Sequence, residues 1–247
     1  STGYRILKRF SRRTNGLPDD GPVIAEVDAT PFFNGIEMIS PRRLLRRVTL
    51  SLVGRLPTGK EIAAVEKSGL PAMGAILDAA MKEEAFYERL REAFNDILLT
   101  DGYDGNGEEA LSYTHFHKSR QWFIERDPNK DRKAEDKLSY STPEMRAYTN
   151  LIRGYRAALV REPLALVAYI VRNDRPFTEI VTADYIMVSP YTSRGYGLFE
   201  ELKDKFKNPE DAFEYIPTRL PALTDDRSGK VVQDSETGYY PHAGVAK

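Results

Sequence analysis

The densest run of oxygen-bearing side chains is Asp101-Gly-Tyr-Asp104-Gly-Asn106-Gly-Glu108-Glu109. Oxygen donors alternating with glycines let a short loop wrap a hard cation, and calcium takes about six to eight oxygens. Without a cation the carboxylates repel one another, a cost that water partly screens. The expected calcium ligands are Asp101, Asp104, Asn106 and Glu108. The loop departs from the EF-hand pattern: counted from Asp104, Glu109 and His115 stand where that pattern has its Gly and its final Glu. A turn that uses Asn and Asp for left-handed geometry has the same composition. Both readings stand at this level.

His115 and His117 follow as a His-x-His pair. In a strand the two imidazoles share a face and suit zinc or copper, with Glu108 or Glu109 returning as a further ligand. In a helix they diverge. Together with the acidic loop 101–109 the pair would make a metal-dependent hydrolase; alone, they are two ordinary polar histidines. A calcium-stabilised carbohydrate-binding module is a further reading of the same loop. Arg42, Arg43, Arg46 and Arg47 lie opposite Leu44, Leu45 and Val48 at helical spacing. They suit phosphates, or a solvated, salt-bridged helix face; the charge balance favours the second.

Other chemistries have no motif here. There is no Gly-rich phosphate loop after a strand, no nucleophile elbow and no His-Glu-x-x-His. The chain has no cysteine, which excludes disulfides, thiolate metal sites, thiol nucleophiles and covalent c-type haem attachment within it. No catalytic residue is assigned, and no cofactor is expected within the chain beyond calcium at the loop. Lys plus Arg is 36 against 37 Asp plus Glu, a net charge of −1. That balance exerts no global pull on nucleic acid or anionic lipid. The exception is local: Arg5, Lys8, Arg9, Arg12 and Arg13 form a basic arm suited to an acidic neighbour or a membrane surface.

The elements that must position these groups are helical. With 41% hydrophobic residues in 247, the chain can bury a real core. No apolar run approaches the roughly 18 residues that span a membrane; the best window, 159–171, is broken by Arg161, Glu162 and Pro163. No leader peptide is visible, and Ser1 in place of Met suggests a processed product or part of a longer chain. Residues 1–39 read as an extended arm. Ser40-Pro41 caps a first helix carrying Leu44, Leu45, Val48 and Leu52, and Gly54 ends it. Thr58 and Glu61 form a capping box for a second. Leu70-Pro71 opens a third, and Phe86, Leu90, Phe94 and Ile97 line a fourth. Residues 101–141 read as a loop-rich connection, with 113–124 a short strand or helix. Thr142-Pro143 starts one helix and Glu162-Pro163 another, closed by Asn173-Asp174; Pro176 and Pro190 open shorter pieces. The expected class is all-α or mainly α: an irregular helical array in two groups, 40–100 and 142–247, with long loops.

Two stretches carry a family resemblance. One is Arg42-Arg-Leu-Leu-Arg-Arg-Val-Thr-Leu-Ser-Leu-Val-Gly-Arg-Leu-Pro-Thr58 with Glu61-Ile62; the other is Asn173-Asp-Arg-Pro-Phe-Thr-Glu-Ile-Val-Thr-Ala-Asp-Tyr185. They resemble signatures of helical domains of unknown function in large exported proteins of Planctomycetes and Myxococcota, often fused or adjacent to c-type cytochrome segments. Pro241-His-Ala-Gly-Val245 resembles the start of their next segment. The resemblance implies an exported protein of the periplasm or cell surface and protein subunits of a larger complex as partners; it supplies no catalytic residue. The function it implies is a non-catalytic structural or interaction domain in a cell-surface assembly with a redox association. In physical terms both stretches are helix corners: Leu-Pro-Thr stops one helix and caps the next, and Asp174 is placed to cap a helix beginning at Arg175-Pro176.

Overall fold

The computed structural model describes residues 39–100, 106–225 and 228–230. The arm 1–38, the expected ligands Asp101 and Asp104, and the stretch from 231 onward, with Pro241–Val245, lie outside the described residues. Those described form two compact units, one ending at Arg89 and the other beginning at Leu90. The fold is mainly α, as expected; its only regular sheet among the described residues has two short strands.

The first unit is a run of capped helices. α1 (Pro41–Val53) begins where the Ser40 side chain accepts from the Arg43 amide, and proline fits the first helical position because no partner is needed for its missing N–H. Gly54 ends the helix at φ 65°, in the left-handed region that closes helix ends. α2 (Gly59–Ser68) carries the expected capping box: the Glu61 amide donates to Thr58 Oγ1, and the Thr58 amide donates to the Glu61 carboxylate at 2.6 Å. α3 (Pro71–Ala80) follows Gly69. Leu45, Val65, Met73 and Ile76 meet in the core of this unit. Arg43, Arg46 and Arg47 stay exposed, and Arg42 pairs with Glu66 across to α2. The four arginines are therefore a solvated and salt-bridged face.

Arg55, in the Leu-Pro-Thr corner, ties this unit together. Its guanidinium donates to both oxygens of Glu61, at 2.8 and 3.0 Å, and to both of Glu83, at 2.5 and 3.0 Å. A planar fork with donors on two edges suits two carboxylates at once. The corner, the capping box and the segment after α3 thus share one cation.

α4 (Glu84–Leu98) carries the chain from one unit into the other. Its expected buried stripe is only partly realised. Tyr87 is the buried residue, Phe86, Leu90 and Phe94 are half-buried, and Ile97 is 71% exposed. The helical period was right, but no described side chain closes over the last turn of that face.

The second unit is built on α6 (Pro143–Arg172), a 30-residue helix capped by Thr142. Two helices meeting at Glu162-Pro163 were expected; one continuous helix contains Pro163 instead. Proline removes the N–H that would reach the carbonyl four residues back, at Leu159. The helix persists because packing outweighs that loss: Ala158, Leu159, Leu164, Leu166, Val167 and Ile170 are all buried. Before it stand a 3-10 turn (Gly107–Ala110), the single helical turn α5 (Tyr113–Phe116) and two further 3-10 turns (Trp122–Arg126 and Ala134–Asp136). The charged run 127–137 is largely solvated, as expected.

After α6 the chain corrects a second expectation. Asp174 does not cap a helix at Pro176. It takes φ 51°, a left-handed residue closing α6, and the short helix α7 (Glu179–Thr182) begins after a turn through Pro176 and Phe177. β1 (Ile186–Val188) leads through a Ser189–Thr192 capping box into α8 (Pro190–Gly195), which opens at its proline as expected; α9 (Phe199–Leu202) follows. β2 (Ile216–Thr218) pairs antiparallel with β1, Met187 opposite Pro217. Three-residue strands without clear alternation offer no period to read.

The first unit generates a pH prediction. The Arg55 hydrogen bonds, followed by those from Thr58, hold the Glu61 carboxyl down from 4.5 to about 2. A folded value below the unfolded one means stability present above about 4.5 and lost as pH falls toward about 2. Thermal unfolding followed by circular dichroism should show a midpoint for Glu61→Gln that is lower at neutral pH and flatter across that window. A variant whose acid profile parallels the parent would remove Glu61 from the linkage.

Candidate functional site

Of the polar groups singled out from sequence, Glu108 reaches the middle of α6. Gly107 lies against the helix: a Cβ there would meet the Arg156 carbonyl oxygen at 2.8 Å and its Cα at 3.1 Å. Only glycine permits that approach, and it delivers the next residue inward. Glu108 is 2% exposed, and both its oxygens accept from Arg156, Nε at 2.8 Å and Nη2 at 2.7 Å. A bidentate fork compensates the desolvation of the carboxylate. Glu108 holds the guanidinium above its ordinary value, chiefly through these hydrogen bonds.

The expected calcium set is thus divided. Glu108 is committed to Arg156, the Asn106 amide donates to Glu109 Oε1 at 2.8 Å, and Asp101 and Asp104 lie outside the described residues. Among the described residues no three His, Asp or Glu side chains gather as a metal group. His115 and His117 fall on α5 and the residue after it. Residues two apart on a helical turn point in roughly opposite directions, about 200° around the axis, so the two rings do not share a face. His117 lies near the Tyr113 ring, at 5.9 Å between centroids, and His115 stands edge-on to Phe116. Nδ1 of His115 is buried without a hydrogen-bond partner.

Sequence reasoning gave no role to the polar pair deepest in this unit. Glu162 is 2% exposed, and its Oε2 accepts from the Tyr196 hydroxyl at 2.8 Å. Burial first, then the Glu162 charge, pushes the Tyr196 phenol well above its usual range, so it stays a donor. The available signal was a charge inside the apolar window 159–171. Two turns back, Tyr155 is fully buried and donates to the Arg120 carbonyl at 2.9 Å. Glu162 and Tyr196 border a cavity of about 570 Å³, walled by Leu111, Phe116, Leu159, Pro163, Leu220 and Leu223. Glu162, Tyr196 and His115 supply polar atoms to the same wall.

The 173–185 stretch also forms a polar cluster. Arg175 Nε and the Tyr185 hydroxyl both reach Glu179 Oε2, each at 2.6 Å. Arg175 first, then Tyr185, lowers the Glu179 carboxyl. The guanidinium also stacks over the Tyr169 and Tyr185 rings, at 5.9 and 5.4 Å. This closes the corner after α6; it is a positioning cluster with its charges satisfied internally.

The Glu108–Arg156 pair yields a stability prediction. Arg156→Met leaves a buried carboxylate without its fork and should cost about 2–4 kcal/mol in urea unfolding. The double variant Glu108→Met/Arg156→Met should recover part of that loss, because no charge remains buried. A double-variant loss equal to the sum of the Arg156→Met and Glu108→Met losses would show that the pair adds no coupling.

Residues 33–132 match the family described as "PSCyt2: Protein of unknown function (DUF1549)". The match covers α1 to α5, with the Arg-rich corner, Glu108 and both histidines; the 173–185 stretch lies beyond it. No curated protein and no solved structure matches the chain.

Proposed function

We propose that the chain is a non-catalytic interaction domain that docks onto a protein partner in an exported, cytochrome-associated assembly. The observation that carries this reading is an apolar surface in the second unit. Phe177 packs edge-on against Phe94, with ring centroids 5.9 Å apart, yet remains 59% exposed. Ile97, one helical turn after Phe94, is 71% exposed, and Val181, on α7, is 67% exposed. Large apolar side chains left in water, one of them seated on a neighbouring ring, favour a covering partner. The buried Glu108 supports the non-catalytic part, because both of its oxygens are bound by Arg156 rather than held toward a substrate.

The exported and cytochrome-associated part rests on the resemblance of the 42–62 and 173–185 stretches, and the match over 33–132 to a family of unknown function is compatible with it. Within the chain itself no haem can be attached through cysteine, so a redox partner would be a separate segment or subunit. Among the described residues, no helix is long and apolar enough to cross a membrane.

The test uses the full-length protein in its cell of origin, with a photo-crosslinking amino acid at Val181. The expected result is an adduct in the exported fraction whose partner stains for covalent haem, lost on Phe177→Asp. Retention of the chain in the cytoplasm, or an adduct unaffected by Phe177→Asp, would overturn the reading.

A further inference from the structure

The cavity beside α6 has a chemistry of its own, independent of the Phe177 surface. Its volume, about 570 Å³, lies within the range of small-molecule sites, roughly 300–1,000 Å³. Its walls are mainly aliphatic and aromatic, so the body of an occupant must be apolar. Two of the donors at the wall are already used: the Tyr196 hydroxyl donates to Glu162, and the Thr100 hydroxyl donates to Asn95. Two others are not. Ser112 and His115 stand three positions apart, at the cap of α5 and within it, which sets them on one side of that turn, and both line the cavity. The Ser112 side chain makes no capping hydrogen bond. Among the described residues no group accepts a hydrogen bond from the His115 ring. Its Nδ1 is buried without a partner, and an N–H orphaned there costs more than an orphaned lone pair. The ring proton therefore sits on Nε2, which is not buried. One N–H and one O–H thus meet the cavity near its mouth, where Ala110 and Ser112 are exposed.

We propose that this cavity binds an apolar molecule whose polar end is an oxygen acceptor, a carbonyl or a carboxylate, held at the mouth by His115 and Ser112. The apolar body replaces water against Leu111, Phe116, Leu220 and Leu223. A carbonyl or carboxylate oxygen has lone pairs enough to accept from Nε2 and from the Ser112 hydroxyl together. An ammonium end has no lone pair to offer the imidazole N–H. Because Ser112 is exposed, a carboxylate beside it keeps part of its hydration while its chain is buried, and so avoids the cost of full desolvation. His115, expected from sequence as half of a metal-binding pair, acts here as a single hydrogen-bond donor.

The probe is N-phenyl-1-naphthylamine, which is neutral, has no oxygen, and brightens when it leaves water. With the intact chain it should titrate to a saturable site and be displaced by decanoate or by methyl decanoate. The double variant His115→Phe/Ser112→Ala keeps the apolar wall and removes both donors. It should still bind the probe, while the concentration needed for displacement by the oxygen-bearing chain rises about ten-fold, as expected for the loss of one or two net hydrogen bonds. Acid and ester separate the two sources: the one whose displacement depends on the donors is the class bound. Decylamine, which ends in an ammonium at neutral pH, should show no such rise. Should the variant lose its fold by circular dichroism, nitrogen-15 spectra of the intact chain carry the test. The Nε2 resonance of His115, one of three histidines, should then move on saturation with the acid or the ester. Absence of a saturable probe site, no displacement by either oxygen-bearing chain, equal displacement from parent and folded variant, or an unmoved His115 resonance would each overturn the proposal.

Discussion

The second unit is organised around the burial of one phenol. Tyr155 sits fully enclosed in the middle of α6, and its hydroxyl can be buried only because the Arg120 carbonyl accepts it at 2.9 Å. That bond joins α6 to the segment before Trp122. The Trp122 and Phe123 rings then close on the same phenol, at 5.5 and 6.0 Å between centroids. From the opposite direction comes α8, where a Cβ on Gly195 would meet the Tyr155 hydroxyl at 2.1 Å. A residue other than glycine there would displace either the helix or the phenol, and with it the wall that carries Tyr196 and Glu162.

Around that point the unit resolves its buried polarity in pairs. Glu108 takes the Arg156 fork, Glu162 takes the Tyr196 hydroxyl, and Tyr215 donates to the Ala158 carbonyl at 2.7 Å. Each pair joins α6 to a segment far away in sequence. Arg194 does similar work on the far side of α8. Its side chain, 9% exposed, lies over the Phe199 ring at 3.7 Å and over Trp122 at 5.1 Å, and donates to the Pro190 carbonyl at 2.8 Å. Burial lowers its pKa, and the ring faces supply part of the compensation for lost water.

What could be read from the sequence was local. Ser40-Pro41, Thr58 with Glu61, and Thr142-Pro143 mark helix starts because the residue that satisfies an orphan amide sits within three positions of it. The Arg42–Arg47 face was legible from helical period alone. Three things were not. Pro163 reads as a start signal, and only the burial of residues on both sides of it shows that the helix continues. Asp174 reads as an N-cap, but its left-handed φ makes it an end. Glu108 reads as part of a solvent-facing acidic loop, and its partner Arg156 lies 48 positions away, beyond any spacing rule. The pairing of His115 with His117 depended on strand against helix, which a segment this short leaves open.

The position of Trp122 has a spectroscopic consequence. It is the only tryptophan in the chain, and it stands within 5.6 Å of two tyrosine rings and beside two arginines, all in the second unit. Excited at wavelengths that spare tyrosine, the indole emission reports the opening of that aromatic stack alone. The first unit contributes helix to the far-ultraviolet spectrum but nothing to this emission. A comparison of the two signals through one unfolding curve therefore separates the melting of the capped helices before Arg89 from that of the unit built on α6, with no label added to either.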